Sequence, residues 1–234
     1  MPLTAQNLAD QFNIGAFDQS NFALFSHRKA AGATAYDMMK REIHVLSGAP
    51  ALTADDSIRY DASLEALLKL PPLFNRAGAS VTAGTSSPIT DGAAITFIVS
   101  EEYARDNNLS PLARIVGIGE SGCDPAIMGI GPVEASRKAL KHAGISQGQV
   151  GIVELNEAFA AQALACMKLM NLDEKNVNMD GGALALGHPL GASGARITFK
   201  AAQLLQRTKR EYALATMCIG GGQGIATVLQ RYTP

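Results

Sequence analysis

From residue 81 onward, short apolar runs alternate with stretches whose apolar residues recur at helical spacing, and few folds accommodate that alternation. Residues 93–99 form a continuous apolar run, read as a buried strand, and residues 101–107 a short helix. Residues 113–118 and 150–155 are two further strands. Between them lies a helix over 132–142, with Pro132 at its start and Gly144 beyond its end. Asn156 is placed to cap a helix running to about Met170. A glycine-rich loop spans 177–193, after which Ile197, Ala201, Leu204 and Leu205 mark one face of an amphipathic helix. Two buried strands, 212–219 and 225–229, joined by a glycine turn, close the chain. Alternating strands and helices imply an α/β layered fold with its sheet covered by helices.

Residues 1–86 read differently, as a mainly helical insertion without a sheet of its own. Helical spacing predicts helices over 4–12 and 18–39, with Thr4 and Asp18 as N-caps and Phe22, Phe25 and Ala30 on a buried stripe. An extended piece over 42–46 leads into a loop at Ser47-Gly48-Ala49-Pro50. Leu64, Leu67 and Leu68 then mark a short helix stopped by Pro71-Pro72. The 234 residues carry 20 Lys+Arg against 21 Asp+Glu, so no strong field invites nucleic acid or an anionic membrane surface. The longest uncharged stretch, 212–230, has Gly220-Gly221-Gly222-Gln223-Gly224 at its middle and reads as strands, not as a membrane span. No secretory leader is read at Met1-Pro2-Leu3. Three cysteines far apart form neither a disulfide framework nor a metal site, and a reducing compartment is expected.

Three places carry residues suited to chemistry. Asn156-Glu157-Ala158-Phe159 follows a strand; Asn156 is either a helix cap or an amide aimed at a water or carbonyl in a cleft. His188 stands in Gly187-His188-Pro189-Leu190-Gly191, where flanking glycines let backbone or ligand approach closely. Cys218 precedes Gly220-Gly221-Gly222. It is either a small core hydrophobe or a thiol beside bare N–H groups, the ingredients of an oxyanion site. A thiol's reference pKa of about 8.5 is near enough to neutrality for proton transfer in both directions. Cys123 and Cys166 lack such a setting. Gly117-Ile118-Gly119-Glu120-Ser121-Gly122 fits a dinucleotide fingerprint by letter, but Cys123-Asp124-Pro125 follows instead of a helix, and nucleotide binding is set aside. His27, His44 and His142 are expected at the surface.

Taken together, these stretches resemble the thiolases. The motifs are Asn156-Glu157-Ala158-Phe159-Ala160-Ala161-Gln162, the run Gly181-Gly182-Ala183-Leu184-Ala185-Leu186-Gly187-His188-Pro189-Leu190-Gly191, and Cys218-Ile219-Gly220-Gly221-Gly222. Supporting stretches are Val81-Thr82-Ala83-Gly84, Asp91-Gly92-Ala93-Ala94 and Met128-Gly129-Ile130-Gly131-Pro132. The resemblance implies a thiolase-like α/β sandwich divided as a CoA-binding helical insertion (1–86), the end of an N-terminal domain (87–112) and a C-terminal domain (113–234). It also implies acyl transfer between 3-ketoacyl-CoA and CoA, releasing acetyl-CoA, or the reverse condensation. CoA is then a substrate, and neither cofactor nor metal is expected. By the resemblance, His188 deprotonates the nucleophile and, with a water on Asn156, stabilises the thioester oxygen. Cys218 exchanges the α-proton, and the Gly220 N–H serves a second oxyanion hole. Ser87, with Ala83 and Gly84 of the same stretch, contacts CoA, and Met128 lines the acyl pocket.

The sequence departs from the family pattern in two respects. No Cys-Ser-Ser-Gly motif, the family's nucleophile, occurs in it, so the chain is expected to be a C-terminal fragment, inactive alone, whose partner is the missing N-terminal half. Asp180 stands where an asparagine is usual and is expected to perturb the His188 loop. Thr85-Ser86-Ser87 is closer to the broad-range enzymes; an acetoacetyl-CoA thiolase and a non-catalytic acyl-CoA-binding remnant are the alternatives. A homodimer or tetramer is expected for the complete protein, in the cytoplasm or an organelle matrix.

Overall fold

The computed structural model describes residues 1–45 and 53–233. In chain order its elements are helices α1 (Pro2–Phe12), α2 (Ala16–Ala35), α3 (Leu64–Leu68) and α4 (Glu101–Asp106), then strand β1 (Ala113–Gly122) and helix α5 (Gly131–Ala143). Strand β2 (Val150–Leu155) precedes helices α6 (Ala160–Met170), α7 (Ala183–Leu186) and α8 (Leu190–Thr208), and β3 (Tyr212–Ile219) and β4 (Gln223–Arg231) follow. The strands lie in the order β1-β4-β3-β2, with β2 parallel to β3 and β4 antiparallel to both its neighbours.

Alternation along the strands assigns the two faces. Val153, Leu155, Leu214 and Val228 meet α5 and α6, while Ile152, Ala213, Ala215 and Leu229 meet α8. Helix α8 contains Gly191 and Gly194, each costing about 1 kcal/mol relative to alanine. Burial of Ile197, Leu204 and Leu205, at roughly 1.5–3 kcal/mol each, outweighs that cost and holds the helix on the sheet. Helix α1 rests on the 3₁₀ turn Pro125–Ile130 and on α6, and α2 rests on α6 and α7. Among the described residues, 1–86 contribute helices and no strand of this sheet, as expected from the sequence.

Several boundaries differ from expectation. Helix α1 begins at Pro2 with Met1 as its cap, and the Thr4 hydroxyl donates back to Met1 O at 2.7 Å. Helix α2 begins at Ala16; Asp18 lies inside it, where its carboxylate accepts the Gly15 N–H at 3.1 Å. Phe22 and Ala30 are buried as expected, but Phe25 is exposed. Leu67 is buried and Leu68 exposed. Residues 46–50, including the expected Ser47–Pro50 loop, lie outside the described residues.

The largest difference is residues 93–99, where no strand forms. Ile95 is 93% exposed, Phe97 77% and Ile98 68%. A strand needs a neighbouring strand to pair its backbone with, and among the described residues none pairs with this segment. Apolar content reported a tendency to be covered, not the presence of a cover.

Candidate active site

The carboxyl ends of two parallel strands bring the first residues together. Leu155 of β2 is paired with Thr216 of β3, and the Asn156 N–H donates to Thr216 O at 3.0 Å. Asn156 therefore leaves the sheet beside the end of β3, two residues before Cys218. It does not cap α6: Phe159 holds that position, because the intervening residues carry the chain away from the strand before the helix turns in. Cys218 pairs with Gly224 across the hairpin. The turn between these strands has Gly221 and Gly222 at φ +86° and +90°, and a Cβ on Gly222 would fall 2.2 Å from Cys123 O. Only glycine fits there.

His188 arrives on the loop between α7 and α8. Its Nδ1 lies 2.6 Å from Ser193 Oγ, and its Nε2 lies 3.4 Å from Asn156 Nδ2. Because the Asn156 amide is a donor and the Ser193 hydroxyl donates onward to Pro189 O at 3.4 Å, both contacts suit one tautomer. Nδ1 carries the proton and donates to Ser193, and Nε2 is the base. Burial, helped by the positive charge of Arg196, pushes the imidazole below its ordinary value, so it is neutral near pH 7. The other amide atom of Asn156, Oδ1, is buried without a hydrogen-bond partner among the described residues. An acceptor of this kind can hold one water.

Cys218 is 6% exposed in an apolar cluster with Met128, Val81 and Phe159. Burial pushes its thiol up to about 12. Near pH 7 this buried group therefore stands as a protonated thiol, a donor, and further from its charge change than the reference value of about 8.5 implies. Cys166 is also buried, with Sγ 3.1 Å from Gly129 O, and burial raises its pKa further still.

The sequence model of the thiolase C-terminal domain matches residues 109–231, more than half of the chain, and that of the thiolase N-terminal domain matches residues 1–102. The chain belongs to the thiolase family. The 3-ketoacyl-CoA thiolase of Photorhabdus laumondii is 49% identical over 241 residues, covering 99% of this chain and 62% of that protein. That of Pseudoalteromonas translucida is 49% identical over 240 residues, with the same coverage. Human mitochondrial 3-ketoacyl-CoA thiolase in complex with CoA superposes with a TM-score of 0.93 at 42% identity, covering 99% of this chain and 58% of that one. The acetyl-CoA acetyltransferase of Bacillus anthracis gives 0.94 at 40%, covering 99% and 60%. The fold is thus the thiolase α/β fold, and this chain spans about three fifths of the length of these relatives.

The remaining predicted residues of this thiolase chain fall into two groups. Ser87 donates its N–H to Ala158 O at 3.1 Å, so residues 83–87 run beside the stretch that follows Asn156, and Met128 shares the Cys218 cluster. Ala83 is exposed on the same turn. Gly84 lies against Leu67 of α3 and the following Leu70, where a Cβ would fall 2.7 and 2.5 Å from the ends of these side chains, so that both would have to turn aside for a larger residue. Gly220 is half-buried beside the Met1 side chain.

Asp180, expected to perturb its loop, is fastened to α8. It accepts from Arg207 at 2.8 and 2.6 Å and from Lys200 at 3.0 Å, and although burial opposes them these partners hold its carboxyl below the ordinary value. One expectation is overturned: His27 is buried, with Nδ1 accepting the Arg59 N–H at 3.2 Å, because its face of α2 is the one covered. His44 and His142 are at the surface. Sequence reasoning missed Ser193, although it lies only five residues past His188, in the first turn of α8, and assigned Glu157 no task.

Proposed function

We propose that this chain forms the C-terminal part of a thiolase-type acyltransferase that moves an acyl group between a 3-ketoacyl-CoA and CoA, releasing acetyl-CoA, or runs the reverse condensation. The observation that carries this reading is a neutral histidine, its Nδ1 tied to Ser193 and its Nε2 turned to Asn156, at the sheet end that also holds the buried thiol of Cys218. His188 Nε2 would take the proton from a nucleophilic cysteine. With a water on Asn156 Oδ1, it would also stabilise the thioester oxygen. Cys218, protonated as it stands, would hand its proton to the departing acetyl-CoA enolate, or as thiolate abstract that proton in synthesis. The Gly220 N–H would serve the second oxyanion hole. Ser87, Ala83 and Gly84 would contact CoA, and Met128 would line the acyl pocket. CoA is a substrate in this scheme, which uses no cofactor.

The nucleophile would come from a thiolase N-terminal half, which we propose as this chain's partner, on the same polypeptide or a separate one. The apolar strip over 89–98 supports that pairing. Among the described residues no helix is long and apolar enough to cross a membrane. A homo-oligomer in the cytoplasm or an organelle matrix is the setting we propose.

The test is kinetic. The gene product carrying these residues should cleave acetoacetyl-CoA and a medium-chain 3-ketoacyl-CoA, and His188→Ala and Cys218→Ala should each lower kcat/KM by about 10²- to 10⁴-fold. The 234-residue chain alone should show none of this cleavage. A strong preference for the four-carbon substrate would make acetoacetyl-CoA thiolase the better reading. Full activity in Cys218→Ala would overturn the role assigned to it.

A further inference from the structure

The function proposed above employs Asn156 and leaves the next residue idle. Glu157 is 1% exposed, and a bare carboxylate in such a place is costly. Three donors converge on it. Its Oε2 accepts from Ser26 Oγ at 2.6 Å and from the Leu184 N–H at 3.1 Å, and its Oε1 accepts from Asn178 Nδ2 at 2.7 Å. Each donor belongs to a different part of the fold. Ser26 lies in the middle of α2, and its oxygen also accepts the Gly182 N–H at 3.0 Å. Asn178 is fastened to the end of β2, accepting the Leu155 N–H at 2.9 Å and donating to Leu155 O at 2.8 Å. Leu184 lies in α7, four residues before His188.

The approach leaves no spare room. A Cβ on Gly182 would fall 2.1 Å from the Glu157 carboxyl carbon, and one on Gly181 (φ +87°) would fall 2.7 Å from Ser26 O. The contacts close a ring. Asn156 is anchored to Thr216, and its chain neighbour Glu157 grips Leu184. Leu184 leads through Gly187 to His188, and His188 Nε2 returns to Asn156.

We propose that Glu157 is a positioning residue for His188: by holding the 182–184 turn against α2 and the end of β2, it sets the imidazole against Asn156. Ser26 of the helical layer is the second half of this clamp. In its kinetic consequence the inference rests on the acyl-transfer reading; in its geometric consequence it does not. A displacement of about 1 Å at a reacting group costs on the order of 10²-fold in rate. Substrate affinity should be spared, because the residues proposed to contact CoA lie outside the ring.

The experiment uses the gene product carrying these residues as wild type, Glu157→Gln, Ser26→Ala and His188→Ala. Glutamine preserves size but turns an amide NH₂ toward one of the donors that Glu157 now accepts, so one contact must open. Ser26→Ala is the milder change. The expected result is a fall in kcat of about 10- to 100-fold for Glu157→Gln, and a smaller fall for Ser26→Ala. KM for the ketoacyl-CoA should stay within about twofold, with a single cooperative melt in both variants. Side-chain ¹⁵N resonances of labelled histidine give a readout that needs no turnover, His188 being assigned by its loss in His188→Ala. Wild type should show the Nδ1–H tautomer, and Glu157→Gln should move that signal. A Glu157→Gln protein with kcat within twofold and an unmoved His188 signal would overturn the proposal. So would a loss of cooperative folding in both variants, which would make the carboxylate a general structural support. A wild type without cleavage, in which Glu157→Gln still moves the His188 signal, would overturn the acyl-transfer reading and sustain the positioning role.

Discussion

Glu154 lies two residues before Asn156, on the α8 face of β2, and is 2% exposed. One of its carboxyl oxygens, Oε1, is buried without a hydrogen-bond partner among the described residues. Burial raises its pKa from the ordinary 4.5 to about 8, with Lys200 and Arg196 pulling down and Asp180 and Glu42 pushing up. The sign of the pH effect follows. Between about 4.5 and 8 the folded chain holds a proton that the unfolded chain has released. The contribution of Glu154 is therefore fully present below pH 4.5 and is lost as pH rises to about 8, at no more than about 1.4 kcal/mol per unit. Glutamine has the neutral shape at every pH. The melting temperature of Glu154→Gln relative to wild type should rise progressively from pH 5 to pH 8 and then level off. A difference that does not change with pH would mean that Glu154 is ionised in the fold and held as an ion by Lys200.

At the scale of elements, the contact between β1 and α5 depends on two glycines that mimic a nucleotide fingerprint. A Cβ on Gly117 would fall 2.3 Å from Ala139 O, and one on Gly119 would fall 2.2 Å from Ala135 O and 2.5 Å from Ala139 N. These neighbours are helix backbone and cannot rotate away. Bare glycine is thus what lets the α5 backbone approach the sheet. Gly119→Ala should push helix and strand apart and destabilise the fold by roughly 1–3 kcal/mol. Gly148, in the 3₁₀ turn Gln147–Gln149, is the control, since nothing lies within 4 Å of its Cβ position. Gly148→Ala should be nearly neutral. Urea unfolding midpoints compare the two, and equal effects would refute this account of the β1–α5 contact.

For the whole molecule, the decisive surface is the strip in which Ile89, Ile95, Phe97 and Ile98 are each at least 68% exposed. It lies near β1, an edge strand of the sheet, with Ile98 and Ile115 lining a shared groove of about 510 Å³. Exposed apolar patches and open strand edges both favour association. The 234-residue chain by itself should therefore self-associate at micromolar concentration. Ile95→Lys with Phe97→Glu should shift it toward monomer, and supplying the thiolase N-terminal half should do the same without substitution. Sedimentation velocity separates the cases, and a stable monomer in the unsubstituted chain would count against this reading.

Some elements were legible from sequence because local burial alone determines them. Strands β2 and β3 appeared at their predicted limits, since a short run of continuous apolar residues between turn signals has few other uses. The periodic face of α8 was equally plain, and so were the stretches around Asn156, His188 and Cys218, where glycines crowd beside chemically able side chains. Periodicity reports that a residue is to be covered; it does not say by what. Residues 93–99 carried a strand's composition but have no neighbour to pair with. His27 carried polar neighbours along the chain and a buried face in space. The Cys218 thiol took its protonation state from walls supplied by Met128 and Phe159, far from it in sequence. Ser26 and Glu157 stand 131 residues apart. Sequence alone thus determined which segments could form strands, helices and a reactive loop. Which way the histidine ring faces, and what holds it there, was decided only when the folded layers brought α2, β2 and α7 onto one carboxylate, because such hydrogen bonds join groups that no local pattern relates.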